Sequence, residues 1–174
     1  LLGDFDDIDK YLVDAKDLFS NITALREIES AFPYLTPEQV EFIQSFWRSF
    51  NSEKYSREQQ AFLNVWDKLY PTYTRFKTKL LAENLCYEGM GQRLFCEQLS
   101  QHHTDRQLIF AGFNALNQCE KRIFSYFRDN RQALFYWDYD LYYSANDNHE
   151  AGLYIRENMK LFPNALGLEH FNNF

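Results

Sequence analysis

Two short apolar runs, Leu108 to Ala111 (LIFA) and Ala133 to Trp137 (ALFYW), flank a stretch in which Leu116, Cys119, Ile123, Tyr126 and Phe127 recur at helical spacing. This strand, helix, strand order constrains the chain more than any other feature. A crossover through a helix joins parallel strands and is right-handed in almost all folds. Parallel strands are ordinarily covered on both faces. Two strands cannot be covered on both faces by the remaining residues, so the expectation is that further strands lie on polypeptide outside this sequence.

Ahead of that unit the chain reads as helix. Ile8, Tyr11, Leu12, Ala15, Leu18, Phe19 and Ile22 form one apolar stripe, which predicts a single helix from Phe5 to Ile22 with Asp4, Asp6 and Asp7 near its positive end. A second helix starts at Thr36, with Pro37 in first position, Gln39 closing a capping box, and Ile43, Phe46, Trp47 and Phe50 on one face. Ser56 and Gln59 repeat the capping signal. Phe62, Trp66, Leu69, Tyr73, Phe76 and Leu80 then keep one register through Pro71, which predicts one long kinked helix or two nearly coaxial ones. The helical pattern continues over Tyr87, Met90 and Leu94, where Gly89 and Gly91 mark close approach of another backbone. A polar loop, SANDNHE, precedes a last helix with Ile155, Met159 and Phe162 on one face, stopped by Pro163.

The fold class that follows is mainly α: a helical bundle over residues 1–103, then a small partial α/β piece over 104–174 with a C-terminal helix. Composition agrees, since 18% aromatic residues against six Gly and four Pro favour bulky helical cores. No apolar run is long enough to span a bilayer, so no membrane partner is expected. Three cysteines without C-x-x-C spacing point to a reducing, cytoplasmic compartment rather than a disulfide framework. The sequence opens on LLGDFDD within an ordered pattern, which reads as a fragment cut from a longer protein.

Ligands of parallel sheets bind beyond the carboxyl ends of the strands, here Gly112-Phe113-Asn114 and Trp137-Asp138-Tyr139-Asp140. Nucleoside triphosphate chemistry needs a phosphate loop of the form G-x-x-x-x-G-K-[ST] and an acid at a strand end to hold magnesium. The sequence has no such loop, and its first strand ends in Ala111 and Gly112. Asp138 and Asp140 read as diverging, solvated strand-end or helix-capping carboxylates. The competing enzyme reading gathers a divalent metal on them with His149 or Glu150. His102, His103 and Asp105 read as solvated linker residues, and His170 carries no assignment. The chain has a net charge of −7, but Arg48, Lys54, Arg57, Lys68, Arg75, Lys77 and Lys79 outnumber Glu53, Glu58 and Asp67 between residues 48 and 79. Lys68, Arg75 and Lys79 fall at helical spacing away from the aromatic stripe. They could track phosphates or simply form a solvated face.

The segment Tyr87-Glu88-Gly89-Met90 with Arg93, followed by Phe110, Gly112, Phe113, Leu116 and Glu120, resembles the inactivated helicase-like subunit of AddB-type helicase–nucleases, in the form found in Bacteroidetes. There a long helix leads into Tyr-Glu-Gly-Met-x-x-Arg, and a strand carries a degenerate Walker B motif, I-D-G-F-x-x-F-x-x-x-E. This chain departs from the motif at Ala111, whose methyl group cannot coordinate magnesium. The resemblance implies that residues 1–103 are a helical insertion and that the β-α-β unit belongs to a RecA-like domain. It also implies an active helicase partner of the AddA type, DNA as the ligand, and a PD-(D/E)XK exonuclease domain with its own Mg2+ elsewhere in the parent protein. No cofactor is expected in this segment. The role implied is a non-catalytic scaffold and DNA-contact region in double-strand-break repair, with Lys68, Arg75, Lys79 and Arg93 as candidate contacts. The alternative is a protein-interaction module that does not touch DNA.

Overall fold

The computed structural model describes residues 1–20, 36–48, 55–102, 104–145 and 149–167. The side chains of Ile43, Phe46 and Trp47, together with Ile22, Phe50, His103 and His170, lie outside the described residues. The chain is mainly helical with one small parallel sheet. In order, the elements are α1 (Leu2–Lys10), α2 (Ala15–Ser20), α3 (Pro37–Arg48), α4 (Arg57–Trp66), α5 (Leu69–Ala82), α6 (Glu88–Glu97), β1 (Leu108–Ala111), α7 (Gln118–Asp129), β2 (Ala133–Tyr136), α8 (Leu141–Ser144) and α9 (Leu153–Leu161).

Compact packing divides the chain into two units, and neither follows the expected boundary at residue 103. One unit joins Leu1–Leu12 to Tyr87–Phe174, and the other is Val13–Cys86. The physical reason lies in α1. The helix expected over 5–22 breaks at Tyr11–Asp14, where Leu12 takes φ +56° and the Asp14 carboxylate accepts the N–H groups of Lys16 and Asp17 to start α2. α1 packs on α6, far along the sequence.

In the Val13–Cys86 unit, local capping sets the helix starts. Thr36 and Gln39 exchange side-chain and backbone hydrogen bonds ahead of α3, and Ser56 and Gln59 do the same ahead of α4. The stripe through Pro71 resolves into two helices, interrupted at Asp67–Lys68 and not at the proline. Pro71 occupies the third position of α5, where its missing N–H would have had no intrahelical acceptor. Trp66 Nε1 donates to Phe19 O at 2.9 Å, and its ring stacks on Phe62, holding α2 against α4. α5 does not run on into the next helix. Asn84 adopts φ +56° and Leu85 N–H donates to Leu80 O at 2.8 Å, a left-handed helix stop.

In the other unit, β1 and β2 pair in parallel with Phe110 opposite Phe135, and α7 crosses between them. Asn117 and Glu120 form the capping box that starts α7. Phe124 and Phe127 of α7 pack on Phe110, and Phe124 meets Phe135, while Ile155, Met159 and Phe162 complete the core on the same face of the sheet. Trp137 Nε1 donates to Phe162 O at 2.7 Å, so this large ring is buried with its one polar atom satisfied. The outer edge of β2 is met by Asn164, with Ala165 N–H donating to Phe135 O.

Candidate functional site

The strands end together at a cleft of about 350 Å³, lined by Gly112, Phe113, Asn114, Asp138, Tyr139 and Asp140 with Ser144, Ala151, Gly152 and Ile155. Parallel pairing in register is what brings the two strand-end segments side by side. Gly112 turns the chain out of β1 with φ +78°, a conformation that glycine adopts without steric cost. Phe113 then packs edge-on to Phe124, and Asn114 is braced from behind. Its carbonyl accepts a 2.5 Å hydrogen bond from Nδ2 of Asn158, a residue that is 1% exposed. Sequence reading missed Asn158. Its signal was a polar residue set among Ile155, Met159 and Phe162 on an apolar helix face.

Asp138 and Asp140 do not diverge as expected: both line the same cleft. They separate by role. The Asp140 carboxylate accepts the N–H of Tyr142 at 2.7 Å and its carbonyl accepts from Ser144, so it starts α8. His149 uses Nδ1 to accept the N–H of Ala151 at the start of the short 3-10 turn Glu150–Gly152. Among the described residues no three His, Cys, Asp or Glu side chains gather as metal ligands. At the end of β1, where a magnesium-holding acid belongs in nucleotide hydrolysis, Ala111 offers a methyl group. Glu120 is occupied in the capping box, its Oε2 accepting the N–H of Asn117 at 2.8 Å.

Arg93, expected as a DNA contact, is engaged within the fold. Its guanidinium pairs with Asp9 at 3.3 Å and with Glu97 at 3.2 Å, and Asp9 is fully buried. Tyr87 Oη donates to the other Asp9 oxygen at 2.5 Å. The Tyr-Glu-Gly-Met-x-x-Arg segment is therefore a clamp on α1. Tyr87 and Arg93 both donate to the Asp9 carboxylate, Glu88 pairs with Lys10 at 3.1 Å, and Gly89 donates its N–H to Asp6. Two buried thiols extend the clamp: Cys119 Sγ donates to Asp9 O, and Cys96 Sγ donates to Cys119 O.

In the helical unit, Lys68, Arg75 and Lys79 are all exposed, and none makes a salt bridge among the described residues. Lys68 stands at the start of α5 and Arg75 and Lys79 follow on the helix, while Tyr73 between them is buried. Lys77, in contrast, turns to Tyr73, donating to its Oη at 2.9 Å and lying over its ring. Among the described residues no helix is long and apolar enough to cross a membrane. No protein-family model, no curated protein and no solved structure matches this chain.

Proposed function

We propose that this chain is a non-catalytic segment of an AddB-type helicase–nuclease subunit, serving as a scaffold and DNA-contact region in the processing of double-strand ends before recombination. The observation that carries the reading is a parallel β-α-β unit whose first strand ends in Ala111 and Gly112 instead of a magnesium-holding acid. Such a unit keeps the architecture of a nucleotide-handling sheet without its metal chemistry. The exposed cations Lys68, Arg75 and Lys79 support the DNA-contact half, since unpaired positive side chains along one helix suit a phosphate backbone. An active helicase subunit of the AddA type and a nuclease domain with its Mg2+ would supply the catalysis.

Fluorescence anisotropy with duplex and single-stranded DNA over a salt series tests this reading. Duplex affinity should fall steeply with salt. Reversing all three charges (Lys68→Glu, Arg75→Glu, Lys79→Glu) should reduce the slope of log affinity against log salt by about 2 to 3, as expected for three lost phosphate contacts. Absence of DNA binding at tens of micromolar protein, or an unchanged slope in the triple variant, would remove the DNA-contact role.

A further inference from the structure

The cleft of about 350 Å³ at the strand ends is one-sided in charge: Asp138 and Asp140 line it, and its described lining holds no Lys, Arg or His. Asp138 is exposed, and its carboxylate bonds to no described residue. Asp140 spends one oxygen on the N–H of Tyr142, and its other oxygen bonds to no described residue. Acceptors are thus left open for a ligand that brings positive charge and N–H groups. Phe113, 36% exposed, and Tyr139 add aromatic rings to the same lining. An apolar rim adjoins it. Tyr142 is 72% exposed and meets the ring of His149 edge-on at 6.4 Å, which joins the start of α8 to the turn at Glu150–Gly152. Leu153 and Tyr154, both exposed, lie in sequence between the lining residues Gly152 and Ile155.

We propose that this cleft takes the arginine side chain of a partner polypeptide, whose neighbouring apolar residues settle on the rim. The lining selects a guanidinium. That group is planar, stacks on aromatic faces, forks toward carboxylate oxygens and is more weakly hydrated than an ammonium. The rim selects a polypeptide over a small free cation. A polar anchor held in a pocket and surrounded by aromatic and aliphatic contacts that exclude water is the arrangement at the centre of protein-binding surfaces. Both acids repel phosphate, so the inference does not rest on the DNA-contact reading.

The probes are acetylated leucyl-arginyl-leucinamide and its counterparts with lysine or citrulline in the middle, citrulline keeping the shape of arginine without its charge. Titrated into the full chain and followed by nitrogen–proton correlation NMR, the arginine peptide should shift the amide signals of Gly112 and Gly152 saturably, with a Kd of about 1 mM. The lysine peptide should bind about threefold more weakly and the citrulline peptide at least about tenfold more weakly. Asp138→Asn should weaken the arginine peptide about fivefold or more and leave the citrulline peptide unchanged. Because Asp138 is exposed and unbonded, the substitution leaves the fold intact, which circular dichroism verifies. Acetylargininamide, which lacks the flanking leucines, should bind about fivefold more weakly than the tripeptide. Equal binding of the two would give the cleft to a small guanidinium compound and overturn the polypeptide partner. No saturable shift at about 10 mM peptide, equal affinity for the lysine or citrulline peptide, or indifference to Asp138→Asn would overturn the site itself.

Discussion

The backbone N–H of Gly89 donates to the Asp6 carboxylate at 2.6 Å, and a Cβ at position 89 would overlap the Asp6 carbonyl oxygen. α1 and α6 therefore approach at a distance that only glycine allows. Gly89→Ala should destabilise the protein by about 2 to 3 kcal/mol, the usual cost of forcing atoms into a close-packed contact. Urea unfolding measures this directly. An effect below about 0.5 kcal/mol would mean that the two helices part easily.

Arg93 is predicted to govern stability and not DNA affinity. Its removal takes away the guanidinium that pairs with the buried Asp9 carboxylate. Arg93→Met should cost about 3 kcal/mol or more, as for other broken buried pairs. The same variant, under conditions where it is folded, should bind DNA as the unaltered chain does. A selective loss of DNA binding at unchanged stability would return Arg93 to the contact surface.

The clamp should weaken at both extremes of pH. Partial burial pushes the Asp6 carboxyl up, but the Lys10 hydrogen bond, the Gly89 N–H and the Lys10 charge together hold it below its ordinary 3.8. Asp6 therefore contributes stability at neutral pH that is lost as pH falls below that value. The Asp6 hydrogen bond, with Glu88, raises the Lys10 ammonium above its ordinary 10.5 against the opposing effect of burial. That contribution is present below 10.5 and is lost as pH rises through the elevated value. Denaturant midpoints measured across pH should show both declines. Asp6→Asn should remove the acid one and diminish the alkaline one.

Thiol chemistry should distinguish Cys86 from its two fellows. Cys86 is exposed, while Cys96 and Cys119 are buried. Burial, with the neighbouring Cys96 thiol, pushes Cys119 up to about 12, and burial also raises Cys96. Since the thiolate is the reactive form, Ellman's reagent at pH 8 should titrate Cys86 promptly in the native protein and all three cysteines in denaturant. Prompt reaction of a second thiol would show that the contact among α1, α6 and α7 opens readily.

Arg131 closes α7 in a left-handed conformation with φ +56°, and the N–H of Gln132 donates to Phe127 O behind it. Arg131→Gly should stabilise the fold by roughly 0.5 to 1 kcal/mol, because glycine takes this conformation without steric cost. Thermal unfolding would register the gain as a rise of a few degrees. A fall would mean that the Arg131 side chain contributes more than its backbone costs.

Local signals made much of this fold legible. Thr36 with Gln39 and Ser56 with Gln59 announced their helices because a capping box is a contact between residues three apart. The strands Leu108–Ala111 and Ala133–Tyr136 and their parallel pairing followed from apolar runs on either side of a helical period. Helix stops were harder to read. Leu12, Asn84 and Arg131 end helices in left-handed conformations that sequences usually assign to glycine, so α1 seemed to continue into α2 and α5 into α6.

The sequence by itself determined the helical content, the crossover unit and the absence of an acid at the end of β1, because each depends on residues a few positions apart or on one side chain's chemistry. Only tertiary structure decided that α1 belongs with the sheet, that Asp138 and Asp140 share one cleft, and that Arg93 is held by Asp9 instead of facing solvent. Those outcomes rest on contacts between residues more than eighty positions apart, as between Asp9 and Arg93, or on loop geometry beyond the strand ends. Periodicity carries information about one element's face, but not about which distant charge will be buried against it.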